Sequence, residues 1–203
     1  MKTISCDGKD ITPSKIICIG RNYVEHIQEL DNAMPDEPVI FLKPNSAISH
    51  EIVTHETDAI HYEAEISFLV HDKQLTAVGF GLDLTKREVQ SNLKGKGLPW
   101  ERAKAFDNSA VLSDFKPFDG DIHALRLELF INGELIQYGG TPLMLYKPSE
   151  ILEEVSKFMT IADNDIIMTG TPKGVGVVNK GDVFVGKIFE NDDLLVDVEW
   201  QVQ

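Results

Sequence analysis

The stretch "HYEAEISFLV", residues 61–70, decides how the chain is read, because a run of apolar residues is interrupted by Glu63 and Glu65. The segment reads as a strand. Side chains two apart on a strand leave the same face. The two carboxylates therefore stand roughly 6–7 Å apart by the strand rise, and they repel each other. They form either a solvated face or a seat for a cation.

Working outward, the neighbouring segments repeat the pattern of short apolar or alternating runs. "KIICIG" (15–20), "VIFL" (39–42), "EAEISFLV" (63–70) and "AVGFGLD" (77–83) are strand-like. In "LRLELFINGELIQYG", Asn132-Gly133 suits a type I′ turn between two alternating runs. "DIIMTG", "DVFVGKIF" and "DLLVDVEW" continue the series towards the C-terminus. Three segments read as helices: "RNYVEHIQEL" with Asn22 as N-cap, "LTKREVQSNLKGKG" with Thr85 and Glu88 at capping-box spacing, and "SEILEEVSKFM" behind Ser149. Many strands and few helices, without strict βαβ alternation, predict an α+β fold built on a β-rich mixed roll or barrel. No repeat or long linker divides residues 1–203, so one domain is expected.

The chain carries 33 acidic against 19 basic residues, a formal net charge of −14. That balance argues against nucleic-acid binding, and an anionic substrate would need local positive charge. Cys6 and Cys18 lack metal-ligand spacing, and a reducing compartment is the simpler reading. "MKTISCDGKD" has no apolar signal region and no segment has the length of a membrane span. A cytoplasmic location without membrane attachment is the expectation.

Several groups could carry chemistry. Asp83 closes the strand "AVGFGLD"; with Glu63 and Glu65 it makes three carboxylates, a donor set that suits Mg²⁺ or Mn²⁺. His26 and Glu29 are helix neighbours three apart, so they are either an oriented acid–base pair or an ordinary surface pair. Lys104, in "WERAKAFDNS", could stabilise a developing oxyanion or could be one more exposed charge. "TGTPKGVG" (169–176) lacks the end of a P-loop; it is a hairpin turn or a loop whose N–H groups approach an anion. His50 and His55 in "SHEIVTHE" are five apart, one too many for the zinc-protease pattern. His61 would share the face of Glu63 and Glu65 if the strand starts early.

In their order along the chain, "IGRNYVEHIQEL", "EPVIFLKP", "HYEAEISFLV", "GFGLDLTKREVQ", "GLPWERAKAFDNS", "INGELIQ" and "TGTPKGVGVV" resemble the fumarylacetoacetate hydrolase family. The likeness runs from about residue 15 to the C-terminus and is closest to the short single-domain branch of acylpyruvases, oxaloacetate decarboxylases and isomerase/decarboxylases. It implies a mixed β-roll, a homodimer and a small keto-acid substrate. It implies a Mg²⁺ or Mn²⁺ ion on Glu63, Glu65 and Asp83. Further roles it implies are catalysis by His26, Glu29 and Lys104, and substrate contacts from Arg21, Arg87, Gln90 and Thr171. The activity implied is C–C hydrolysis of acylpyruvates or decarboxylation of oxaloacetate through an enolate. A hydroxyheptadienedioate isomerase, an oxaloacetate tautomerase, or a metal-binding module without turnover are the alternatives. The chain departs from the family at Ala110-Val111, where relatives often carry Cys-Pro, and in a shortened segment at 71–79.

Overall fold

The computed structural model describes residues 1–55 and 57–203. Its centre is a curled eight-stranded mixed sheet. In spatial order its path runs Val39–Pro44, Lys15–Gly20, Ile166–Met168, Ala64–His71, Gln74–Asp83, Ala110–Leu112 and Ile48–Ser49, with Lys116–Pro117 also paired to Gln74–Asp83. Lys15–Gly20 runs parallel to Ile166–Met168, and Ala110–Leu112 parallel to Ile48–Ser49; the other pairs are antiparallel. Every expected strand is present, within a few residues of its expected ends.

The segment quoted first explains the layering. Ala64, Ile66 and Phe68 leave one face of the sheet with Val78, Phe80 and Leu82 of the paired strand. They meet Leu125, Leu127, Leu129, Phe184 and Ile188 of a second, four-stranded antiparallel sheet. That sheet is ordered Glu134–Gly140, Leu125–Ile131, Val183–Glu190, Asp193–Gln201. Its hairpin turns at Asn132 and Gly133, both at positive φ (52° and 84°), as a type I′ turn requires. The shortened segment closes the same way: Asp72 and Lys73, at φ 48° and 58°, turn Ala64–His71 directly into Gln74–Asp83.

Among the described residues, four short α-helices lie around the sheets: α1 (Val24–Glu29), α2 (Arg87–Gly95), α3 (Glu101–Lys104) and α4 (Pro148–Ser156). Helix α4 packs Ile151 and Val155 on Ile17, Ile19 and Ile167, as its apolar stripe predicts. The short α3 was not expected. Two expected caps are absent, for one reason: tertiary partners took the side chains. Asn22 does not cap α1; its amide donates to Tyr146 O and Thr169 O at 2.9 and 2.8 Å and accepts from Tyr146 N at 2.8 Å. Thr85 does not cap α2, which starts after Lys86; its hydroxyl donates to Asp83 O and accepts from Lys104 Nζ. No helix among the described residues is long and apolar enough to cross a membrane.

Asp165 fixes the start of the parallel pair. Its carboxylate is fully buried, accepts from Ser14 Oγ at 2.5 Å, Lys15 N at 3.2 Å and Ala162 N at 2.8 Å, and pairs with the Lys15 ammonium. Burial alone would raise its carboxyl, but these donors hold it below the ordinary 3.8. A group held below its unfolded value stabilises the fold above that value and loses the contribution as pH falls through the folded one. Asp165→Asn should therefore cost about 2 kcal/mol near neutrality. Urea unfolding at pH 7 and pH 3 should show the wild-type advantage shrinking at the lower pH; an advantage that grew on acidification would contradict this account.

Candidate active site and metal centre

Chain geometry brings the three carboxylates together. Glu63 sits at the break between the strands Ile60–Tyr62 and Ala64–His71, so the second strand begins one residue later than expected. Asp83 N donates to Glu63 O at 2.8 Å, which sets the two residues opposite each other. Glu65 lies two residues further along, where Ala64 pairs with Leu82 and Glu65 with Gly81. Oxygens of Glu63, Glu65 and Asp83 all lie within 4.8 Å of one another, and all three residues are buried. The solvated-face reading is thereby excluded.

Three buried acids need counter-charge. Lys104, delivered by the last turn of α3, donates to Glu63 Oε2 at 2.7 Å, Asp83 Oδ2 at 2.6 Å and Thr85 Oγ1 at 2.6 Å. Arg87, at the start of α2, pairs with Glu63 Oε1 and donates to Gln90 Oε1 at 2.9 Å. Lys43, completely buried, stands 2.8 Å from Asp83 Oδ1, at an angle too poor for a hydrogen bond. Burial would raise the Glu63 carboxyl; Lys104 and Arg87 overcome it and hold the group well below the carboxylate range. Among the described residues no cation comes within ion-pair distance of Glu65. Burial first, then Asp83 and Glu63, push its carboxyl well above the ordinary value, against a hydrogen bond from Gly170 N at 2.8 Å and the more distant charge of Lys104. A divalent cation beside Glu65 would reverse that imbalance. The all-oxygen donor set fits a hard ion such as Mg²⁺ or Mn²⁺.

The loop 169–176 serves the carboxylates directly. Gly170 N holds Glu65, and Gly174 N donates to Glu29 Oε1 at 2.9 Å. Both glycines take left-handed φ (95° and 101°), and a Cβ at Gly174 would come within 2.3 Å of Ile136 O. Two of the N–H groups expected to face an anionic substrate are thus committed to the protein's own acids. Glu29 Oε2 meets His26 Nδ1 at 3.0 Å, so the imidazole donates there and its Nε2 is the free nitrogen. His26 is buried, and the surface-pair reading fails.

A small cavity of about 40 Å³ collects these groups. His26, Glu63, Glu65, Lys104, Arg21, Arg87, Gln90 and Thr171 line it; Asp83 and Glu29 stand behind them. His61 does not line it, pairing instead with Thr85 and Val177 in a small sheet. His50 reaches the backbone oxygens of Leu112 and Thr3.

Four contributors were missed. Lys43 interrupts an apolar strand run, a signal that only its burial gives meaning. Lys94 continues the Arg87–Gln90 face of α2 and lines the cavity. Asn32 accepts from Lys94 Nζ at 2.6 Å. Gln137, fully buried, accepts from Ala64 N at 3.0 Å and donates to Thr171 Oγ1 and Pro172 O at 2.9 and 2.8 Å. A register shift in the hairpin sets it opposite Leu129, a core position, where the regular register from the Asn132-Gly133 turn would have set it opposite Glu128.

The family model for the C-terminal domain of fumarylacetoacetate hydrolase matches residues 15–199. The chain belongs to the fumarylacetoacetate hydrolase family. Among family relatives, the oxaloacetate tautomerase YcgM of Escherichia coli K12 is 39% identical over 191 residues, 85% of this chain and 87% of that protein. The mitochondrial oxaloacetate tautomerase of Bos taurus is 43% identical over 185 residues, 82% and 83% of the two chains. Fumarylpyruvate hydrolase from Pseudomonas aeruginosa, solved with Mn²⁺ and pyruvate, superposes with a TM-score of 0.90 at 26% identity, covering 99% and 95%.

An ion held by the carboxylate trio should stabilise the fold by mass action, about 2.7 kcal/mol at one hundred times its dissociation constant. Thermal denaturation with and without excess Mn²⁺ should show a rise in Tm of roughly 5–10 °C. Glu65→Gln should abolish most of the rise, whereas an equal rise in that variant would remove Glu65 from the ligand set.

Proposed function

We propose that the protein is a Mg²⁺- or Mn²⁺-dependent enzyme that interconverts the keto and enol forms of oxaloacetate, a small 2-keto acid. The observation that carries this reading is the buried trio Glu63, Glu65 and Asp83 sharing one site with a histidine held by Glu29. The names of relatives about 40% identical support the choice of substrate. Glu63, Glu65 and Asp83 would hold the cation, which would supply Lewis-acid polarisation of the keto oxygen.

The chain's own residues do the rest. His26 Nε2 takes a proton from C3, and the electron pair of that C–H bond moves to make the C2–C3 double bond while charge passes to the 2-oxygen. Return of that proton from the imidazolium to the 2-oxygen completes the enol and regenerates the neutral imidazole, so atoms and charge balance without a co-reactant. Glu29 stabilises the imidazolium in between. Lys104 presents fixed positive charge in a water-poor site, where it counts for more than in solution. Thr171 Oγ1, accepting from Gln137, keeps its own proton for a substrate carboxylate.

One observation favours a second reading. A base with a free Nε2 can also deprotonate water, and the resemblance to fumarylpyruvate hydrolase is close over nearly the whole chain. His26 would then direct water onto the distal carbonyl of an acylpyruvate, and the C–C bond would break with its electrons left on the pyruvate fragment.

His26→Ala separates these demands. Enol–keto conversion, followed by the enol absorbance, should fall about 10²–10⁴-fold. Oxaloacetate decarboxylation, which needs no base to release CO₂, should fall far less. Equal losses in both would reject proton transfer by His26.

A further inference from the structure

The cavity holds more positive charge than its carboxylates use. Arg21, Arg87, Lys94 and Lys104 line it, in a chain whose net charge is −14. Lys104 and most of Arg87 are committed to Glu63, Asp83, Thr85 and Gln90. Arg21 and Lys94 are not. Among the described residues no carboxylate comes within ion-pair distance of either, and Lys94 meets only the neutral amide of Asn32. Arg87 Nε is buried without a hydrogen-bond partner. Burial, then the charges of Arg21 and Arg87, push the Lys94 ammonium below its ordinary value, so like charges already oppose one another there. An anion is what this arrangement lacks.

We propose that Arg21 and Lys94 form the subsite for the second carboxylate of a C4 2-keto dicarboxylate. This rests on the function proposed above, in which the keto-acid end of the same molecule faces Glu63, Glu65, Asp83 and Thr171. An uncharged acyl end would leave two half-buried cations facing apolar atoms, the situation in which a polar site rejects an analogue most strongly. Asn32 follows α1 and its N–H donates to Ile27 O at 3.0 Å, so a carboxylate at Lys94 lies against the segment that carries His26. An apolar hollow of about 520 Å³ adjoins through Phe41 and Trp100 and offers the rival destination, an uncharged chain.

The test uses Lys94→Met, with Lys94→Arg as the conservative variant, on the Mn²⁺-loaded enzyme. The ratio of kcat/KM for oxaloacetate to that for acetylpyruvate should fall at least about tenfold in Lys94→Met and recover in Lys94→Arg. In calorimetric titrations, malate should bind the wild type more tightly than lactate, which lacks the second carboxylate, and Lys94→Met should erase the difference. A merely structural lysine would lower both substrates together and leave both ratios unchanged, and that result overturns the proposal. So does a wild type that binds malate no better than lactate. Should the wild type turn over neither keto acid, the tautomerase reading fails, and the malate–lactate comparison still judges the subsite.

Discussion

Burying Glu63, Glu65 and Asp83 side by side is the constraint on which the rest of the site depends. Isolated ionised carboxylates are costly away from water, and three of them at one end of a strand pair would unfold it without compensation. Lys104, Arg87 and Lys43 provide that compensation from three different elements, α3, the start of α2 and the strand Val39–Pro44. The counter-charge is uneven: Glu63 and Asp83 are paired, Glu65 is not. An enzyme that works with a divalent ion has reason to keep that gap. Positive side chains neutralise Glu63 and Asp83, and a further cation beside Glu65 would even the balance.

The loop 169–176 connects this charge problem to the chemistry. Gly170 orients Glu65, Gly174 orients Glu29, and Glu29 in turn orients His26. Gln137 ties the same loop to the Ala64 peptide, between the two glutamates. Glu65, Glu29 with His26 behind it, and Thr171 are therefore tied to one short stretch of backbone, whose left-handed glycines allow the chain to turn tightly enough to reach them. Preorganisation of this kind lets fixed dipoles act without rearranging during the reaction.

Local pattern made the fold legible. Alternation in 64–70 and 77–83, and the Asn132-Gly133 turn, depend on neighbours in sequence and were readable. The cap assignments at Asn22 and Thr85 failed because residues more than a hundred positions away, in one case, and Lys104, in the other, offered those side chains better partners. The resemblance carried the carboxylates, His26, Glu29 and Lys104 to one cavity or its immediate backing. Lys43 and Gln137 stayed hidden because a polar residue in an apolar run looks the same whether it is exposed or buried against an acid. Lys94 stayed hidden because a lysine near a helix end is ordinarily solvated.

Anomalous scattering from a crystal equilibrated with Mn²⁺ reads directly whether the carboxylates of Glu63, Glu65 and Asp83 converge on one divalent ion. A single strong peak should lie about 2.1 Å from an oxygen of each residue. A peak absent there, or found only at the exposed cluster of His71, Asp72 and Asp163, would contradict that convergence.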